Sequence, residues 1–283
     1  MTAEQKKALQ LRAVSVREGI LTSTHGAKAG HPGGSLSSAD LFTYLYFAEM
    51  NIDPENPKWE ERDRFVLSKG HTAPGLYSAL AERGFFPKED LPTLRHVGSY
   101  LQGHPNMNTV PGVDMSTGSL GQGISAAAGM AKAAKFLNKD FRVYTLLGDG
   151  ELAEGQVWEA TMFAAHYKLD NLCIIVDLNG LQIDGPTSVV MNTAPVDEKF
   201  EAFGCKVVEI DGNDFDELEH GFKKFHKNIG KGKPTVILMR TTKGKGVSYM
   251  ENQVGWHGKA PNDEEYAIGM ADLAAIRKQI EEA

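Results

Sequence analysis

Cysteine is scarce in this sequence of 283 residues, and its two cysteines form no recognisable pattern. The separation of Cys173 and Cys205 fits neither a disulfide framework nor a zinc site. No apolar run reaches the roughly 18 residues that a membrane span needs, and the N-terminus lacks the apolar core of a signal peptide. We therefore expect a cytoplasmic protein with no membrane partner.

Positive charge is also in deficit. Lys and Arg number 30 against 37 Asp and Glu, which gives a formal net charge of -7. Nucleic-acid-binding domains usually carry a basic face, so this balance argues against a DNA or RNA partner. Hydrophobic content of 41% and charged content of 24% are ordinary for a globular protein that can bury a substantial core.

Short apolar runs and helical patterns alternate in the second half of the chain. The runs have strand length and cover residues 142–147, 172–176, 206–210 and 235–239, and a further short strand is predicted at 65–67. Solid apolar strands between amphipathic helices indicate an α/β fold with a largely parallel sheet covered by helices on both faces. We expect a single domain over residues 1–283.

Helical spacing predicts the remaining elements. The apolar residues of an N-terminal helix recur every three or four positions, at Leu9, Ala13, Val16 and Ile20. A glycine-rich loop over residues 22–34 follows. A later helix has a stripe made by Trp158, Met162, Ala165 and Leu169, another opens at Asp214, and the last covers residues 272–280. The segment 98–123 has little periodicity, and long irregular segments in compact domains are usually functional or disordered.

The segment Gly148-Asp149-Gly150 lies where a predicted strand runs out into a helix. Ligands of parallel sheets bind at the carboxyl ends of strands, and helix N-termini attract phosphate. Asp149 would repel a bare phosphate, so a hard cation such as magnesium is expected between them. Asn179 follows the next strand and would complete the metal shell. A plain tight turn is the alternative interpretation. The glycines at 118–123 lack dinucleotide-binding spacing.

Four of the nine histidines stand in glycine-flanked segments, at His31, His71, His104 and His257. Imidazole donates and accepts hydrogen bonds near neutral pH, which suits contacts to hydroxyls, phosphates and oxyanions. A lone loop histidine is more often solvated or a cap. The repetition favours a shared cleft.

These segments together resemble the transketolase family, and the match covers nearly the whole chain in the family's order. The motifs that carry the resemblance are Lys-Ala-Gly-His-Pro-Gly-Gly at 28–34, Ser-Lys-Gly-His at 68–71, Gly-His-Pro at 103–105, Thr-Gly-Ser-Leu-Gly-Gln-Gly at 117–123, Gly-Asp-Gly-Glu-Leu-Ala-Glu-Gly at 148–155 and Trp-His-Gly-Lys at 256–259. The resemblance implies the thiamine diphosphate-binding fold, with thiamine diphosphate and Mg²⁺ (or Ca²⁺) as cofactors.

The resemblance also implies residue roles. The implied metal ligands are Asp149, Asn179 and the carbonyl of Leu181. The implied cofactor-binding residues are His71, Gly118, Ser119, Leu120, Gly150, Glu151, Asn179, Ile183, Lys243 and His257. The implied catalytic residues are His31, His71, His104 and His257 around the reacting carbon, with Glu154 in a carboxylate network that links cofactors across a dimer.

A complete transketolase has a second domain, which receives the aminopyrimidine of the cofactor and supplies an activating glutamate. We expect that pyrimidine-binding domain and the C-terminal domain on a separate C-terminal subunit, in an α2β2 heterotetramer. The expected reaction transfers a two-carbon ketol unit between sugar phosphates, as in the pentose phosphate pathway.

Three alternatives remain. Half of a deoxyxylulose phosphate synthase-like enzyme and a 2-oxo acid dehydrogenase α subunit would have a similar phosphate site, but the segment Trp256-His257-Gly258 is not typical of either. A non-catalytic cofactor-binding remnant would be expected to have lost its loop histidines.

Overall fold

The computed structural model describes residues 1–283 and is built around a five-stranded parallel sheet. Its strands are β1 (Arg64–Leu67), β2 (Val143–Gly148), β3 (Leu172–Leu178), β6 (Lys206–Asp211) and β7 (Thr235–Arg240). They lie in the order β1-β2-β3-β7-β6, and every neighbouring pair is parallel. Two short strands, β4 (Leu181–Gln182) and β5 (Gly185–Pro186), form an antiparallel hairpin. The predicted parallel sheet is confirmed.

Ten α-helices surround the sheet. They are α1 (Ala3–Ala27), α2 (Pro32–Ser37), α3 (Ala39–Tyr44), α4 (Ala73–Arg83), α5 (Gln122–Phe136), α6 (Gly155–His166), α7 (Thr187–Val190), α8 (Val196–Ala202), α9 (Phe215–Asn228) and α10 (Asp263–Glu282). A π-helical turn, Leu45–Glu49, extends α3. None of the helices combines the length and apolarity that crossing a bilayer requires.

Strands β1, β2, β3 and β7 are buried on both faces, as their apolar sequences predict, whereas the edge strand β6 is mostly exposed or half-buried. Phe65, Tyr144 and Ile175 belong to a core of 43 buried residues shared with α1, α3, α4 and α9. The alternate positions, such as Val66 and Ile174, belong to a second core of 19 buried residues shared with α5, α6 and α8. The sheet is therefore the middle layer of three. The edge at which its strands have their carboxyl ends is where a ligand of a parallel sheet is expected.

Capping residues explain where three helices begin, and two predicted boundaries need correction. Thr2 caps α1, Asp214 caps α9 by accepting from two backbone amides, and Asn262 forms a capping box with Glu265 at the start of α10. The last helix therefore begins at Asp263 rather than at residue 272. The predicted loop at 22–34 is too long, since α1 continues to Ala27 and α2 starts at Pro32.

The apolar stripe predicted for α6 is not the buried face of this helix. Met162 is 55% exposed, and Leu169 lies beyond the end of the helix. The buried positions of α6 are Val157, Ala160, Thr161 and Ala164. Helix α6 packs against the alanine-rich α5, so the small side chains face inward and the large apolar ones face outward.

Candidate active site

A cavity of about 280 Å³ opens at the carboxyl edge of β1, β2 and β3. It brings together most of the predicted site residues: His31, His71, Gly118, Leu120, Asp149, Gly150, Glu151, Asn179, Leu181, Ile183, Lys243 and His257. Gly34, Lys69, Gly148 and Gln182 complete the lining. The predicted meeting of two neighbouring strand ends occurs, because Gly148 of β2 pairs in register with Asp177 of β3.

Asp149 is fixed by backbone amides on both sides. Its Oδ1 accepts from the N–H of Gly150 at 2.8 Å, and its Oδ2 accepts from the N–H of Gly180 at 2.6 Å. Burial, followed by the negative charge of Asp177, raises the pKa of Asp149 to about 6. The amides orient this carboxylate without neutralising it.

Oxygen atoms of the loop after β3 stand beside Asp149 in the cavity lining. The amide of Asn179 donates through Nδ2 to Asp177 at 2.9 Å, and its Oδ1 accepts from the N–H of Leu181 at 3.1 Å. The carbonyl of Leu181 accepts from Nζ of Lys243 at 2.9 Å. One carboxylate, one amide oxygen and one carbonyl oxygen thus line one cavity, and these are hard donors of the kind that Mg²⁺ and Ca²⁺ prefer.

Three of the four predicted histidines form a cluster. The ring centroids of His31 and His71 are 5.2 Å apart, those of His31 and His257 are 5.6 Å apart, and those of His71 and His257 are 5.1 Å apart. His71 follows β1, while His31 and His257 come from loops at opposite ends of the chain. The fold therefore assembles from distant segments the shared cleft that the repeated histidines predict.

These three imidazoles are neutral at physiological pH. Burial, followed by the charge of Arg95, lowers the pKa of His31 to about 4. Burial, followed by the charge of Lys243, lowers the pKa of His257 to about 3, and burial places the pKa of His71 well below its ordinary value. Nζ of Lys243 lies 2.9 Å from Nδ1 of His257. Because the lysine donates, Nε2 of His257 carries the proton.

His104, Ser119 and Glu154 do not line the cavity, and all three are exposed. His104 nevertheless lies against the cavity wall, because a Cβ built on Gly118 would come within 3.0 Å of its ring. Gly118 has φ of +149°, a conformation that favours glycine. Glu154 lies beside Gly121, where a Cβ would come within 2.8 Å of the glutamate side chain. These residues border the opening of the site.

Glu151 holds three segments of the site together. Its Oε1 accepts from Oγ of Ser68 at 2.5 Å and from the N–H of Gly121 at 2.8 Å. Its Oε2 accepts from the N–H of Gly148 at 3.0 Å. The resemblance implies a cofactor contact for Glu151, and the structure places Glu151 in the cavity lining with both carboxylate oxygens hydrogen-bonded to protein groups.

Sequence reasoning missed two cavity residues, Gln182 and Lys69. Nε2 of Gln182 is buried without a hydrogen-bond partner, as is Nδ1 of His31. Lys69 forms a buried ion pair with Asp177 at 2.6 Å. The sequence does contain a signal for this pair, because a lysine and an aspartate each follow a predicted apolar strand. Their meeting depends on the strand register, which the sequence does not specify.

A larger cleft of about 550 Å³ lies elsewhere, at the ends of β6 and β7. The residues that line it are mostly polar, and some of them pair with each other, as Arg240 does with Glu209 in an ion pair. We place the candidate site in the smaller cavity, because the histidine cluster and the oxygen donors converge there.

Comparison with known proteins gives a consistent result. Residues 8–277 match the family described as "Transketolase, thiamine diphosphate binding domain". The 6-deoxy-6-sulfo-D-fructose transketolase subunit SqwG of Clostridium sp. (strain MSTE9) is 44% identical over 96% of this chain and 98% of the relative. One of the subunits of the apulose-4-phosphate transketolase of Phocaeicola vulgatus is 41% identical over 98% of each chain.

The structure of transketolase from Campylobacter jejuni superposes with a TM-score of 0.88 at 33% identity. This alignment covers 96% of the present chain and 45% of the Campylobacter chain. The chain therefore spans less than half of that protein, whereas it spans nearly all of the two relatives named as subunits.

Proposed function

The chain belongs to the transketolase family, and from that premise we propose that it is the N-terminal subunit of a split transketolase. It would transfer a two-carbon ketol unit from a ketose phosphate to an aldose phosphate together with a separate C-terminal subunit. The observation that carries this proposal is one cavity at the ends of the neighbouring strands β2 and β3, in which Asp149 and Asn179 meet three neutral histidines.

The residues present fit thiamine diphosphate and a divalent cation. The buried and unpartnered Nε2 of Gln182 and Nδ1 of His31 offer polar atoms to a ligand. Asp149, Asn179 and the carbonyl of Leu181 would hold Mg²⁺ or Ca²⁺, and Gly150 and His71 would contact the diphosphate. When bound, the cofactor would supply the nucleophilic carbon and stabilise the carbanion that ketol transfer requires.

The histidine cluster would act on the substrate carbonyl and hydroxyl groups. A neutral imidazole donates a hydrogen bond without bringing a full charge to the site, and Lys243 leaves the Nε2–H of His257 as a donor. Such donors stabilise developing oxyanions and move hydroxyl protons, each contributing about 10²–10⁴-fold. His104 and Glu154 would act from the opening of the site, His104 on the sugar and Glu154 in a link to the second cofactor.

The partner would be a chain that carries the pyrimidine-binding domain, in an α2β2 assembly. Closed symmetric assemblies are the common outcome for such interfaces. The outer face of α6 and its C-cap support an interface, since Met162 and Phe163 of the helix and the C-cap residue Tyr167 are 55%, 39% and 42% exposed. In this proposal residues 1–283 form one diphosphate- and metal-binding domain. Cys173 and Cys205 are free, which is compatible with a cytoplasmic location in pentose phosphate metabolism.

Ketol transfer from xylulose 5-phosphate to ribose 5-phosphate tests this function. The chain should be mixed with its candidate C-terminal partner, and the mixture assayed before and after removal of thiamine diphosphate and metal with a chelator. We expect activity that is lost on chelation and restored by both cofactors together. The relatives act by name on a sulfo sugar and on apulose 4-phosphate, so these ketoses belong in the same assay. Cofactor binding without transfer from any ketose would contradict the proposal.

A further inference from the structure

The carboxylate of Asp177 is fully buried at the end of β3 and accepts hydrogen bonds from five side chains. Its Oδ2 accepts from Nζ of Lys69 and Oγ of Ser37, both at 2.6 Å, from Nδ2 of Asn179 at 2.9 Å and from Oγ of Ser38 at 3.4 Å. Its Oδ1 accepts from the hydroxyl of Thr241. Because protein donors already hydrogen-bond to both of its oxygens, this carboxylate is satisfied without a bound ligand.

This arrangement decides which way the amide of Asn179 points. The two ends of an asparagine amide have nearly the same shape, so only hydrogen-bond partners fix its orientation. Asp177 only accepts, which requires the NH₂ group of Asn179 to face it. Leu181 only donates at this point, through its N–H, which requires Oδ1 of Asn179 to face the loop of residues 179–181. Both contacts select the same orientation.

We propose that Asp177 is a positioning residue that keeps the amide oxygen of Asn179 available to the divalent cation, and that Lys69 holds Asp177 in place. This inference rests on the proposed function, since it concerns the proposed metal site. With the opposite orientation, the NH₂ group would point toward the cation and would repel it. Lys69 is 2% exposed and also donates to Ser38 and to the carbonyl of Gly34. The segment after β1, helix α2 with the residue that follows it, and β3 thus all support one amide.

The expected size of the effect follows from other metal sites. Residues that orient a metal ligand without touching the metal typically change metal affinity by about 10–100-fold when they are replaced. We expect an effect of that size on Mg²⁺ binding in the presence of thiamine diphosphate.

The test compares three variants of the full chain. The double variant K69M/D177V removes the buried ion pair and with it the acceptor for Asn179, and exchange of such a pair for apolar residues often preserves stability. D177N retains an amide oxygen that accepts from Asn179 and should rescue most of the affinity. D114N is the matched control, because Asp114 is also a buried carboxylate and pairs with Arg62 far from the cavity.

Calorimetric titration of Mg²⁺ into each chain with saturating thiamine diphosphate gives the readout, beside urea unfolding of the apo proteins. We expect about 10–100-fold weaker Mg²⁺ binding in K69M/D177V, near-normal binding in D177N, and unchanged binding in D114N despite lower stability. Wild-type affinity in folded K69M/D177V would overturn the inference and leave the proposed function standing. No metal-dependent cofactor binding in the wild type would overturn both.

If K69M/D177V does not fold, a measurement on the wild-type chain still tests the inference. The side-chain NH₂ of Asn179 should be protected from hydrogen exchange in an NMR spectrum of the apo protein, because it donates to a buried carboxylate. Exchange as fast as that of an exposed asparagine would refute the inference.

Discussion

Glu151 offers the sharpest prediction about what holds the site in shape. Replacing it with Ala would leave the N–H groups of Gly121 and Gly148 and the hydroxyl of Ser68 without their acceptor. The hydroxyl can rotate, but the two amides cannot. A buried donor left unpaired costs about 1–3 kcal/mol, so the two amides together should lower the free energy of unfolding of Glu151→Ala by about 2–6 kcal/mol. Glu151→Gln keeps one acceptor oxygen and should cost about half as much.

Urea unfolding of the purified chain, followed by circular dichroism, measures these changes. Glu159→Ala is the matched control, because this glutamate is on the exposed face of α6 and its removal should change stability by less than about 0.5 kcal/mol. Calorimetry should also show weaker thiamine diphosphate binding in Glu151→Ala, since the partners of this glutamate belong to three segments around the cavity. A Glu151→Ala protein as stable as the control would refute the reasoning.

Three further predictions concern the site directly. Asp149→Ala should abolish Mg²⁺-dependent binding of thiamine diphosphate in calorimetry, and unchanged affinity with or without chelator would contradict the metal assignment. His104→Ala and His257→Ala, assayed with the partner present, should lower kcat or raise the KM for the donor while the thermal unfolding temperature stays unchanged. A lower unfolding temperature with wild-type kinetics would make them structural residues. In NMR titrations the rings of His31 and His257 should stay neutral down to pH 5, because their pKa values are about 4 and about 3. Since these lie below the unfolded value of about 6.5, protein stability should fall as the pH drops from about 6.5 toward 4 for His31 and toward 3 for His257.

The sheet was predictable because its signal is local. Strands β1, β2, β3 and β7 are largely apolar runs between polar turns, and burial on both faces demands that composition. The edge strand β6 has charged residues at exposed positions, and its apolar residues alone mark it as a strand. Helix orientation was less predictable, because it depends on the neighbour. Helix α6 has apolar residues on both sides, and only its contact with the small side chains of α5 decides that Ala160 and Ala164 face inward while Met162 faces solvent.

The candidate site was predictable where its residues follow neighbouring strands and unpredictable where a contact depends on strand register or on burial. Gly148-Asp149-Gly150 and Asn179 follow neighbouring strands, so their proximity follows from the order of the sheet. The pair of Lys69 and Asp177 joins β1 to β3 across β2, and this depends on register. The histidines are neutral because they are buried, and the spacing of residues along the sequence does not reveal that burial. The roles of individual residues stay predictions until the variants are measured.

The central claim is that this chain supplies one half of an active site. The direct test holds its concentration fixed, adds increasing amounts of the C-terminal partner chain, and measures ketol transfer with excess thiamine diphosphate and Mg²⁺. An α2β2 assembly predicts no activity for either chain alone, a linear rise, and a plateau at equal amounts of the two chains. The same titration with an Asp149→Ala chain should stay flat. Full activity of this chain alone, free of contaminating transketolase, would contradict the account.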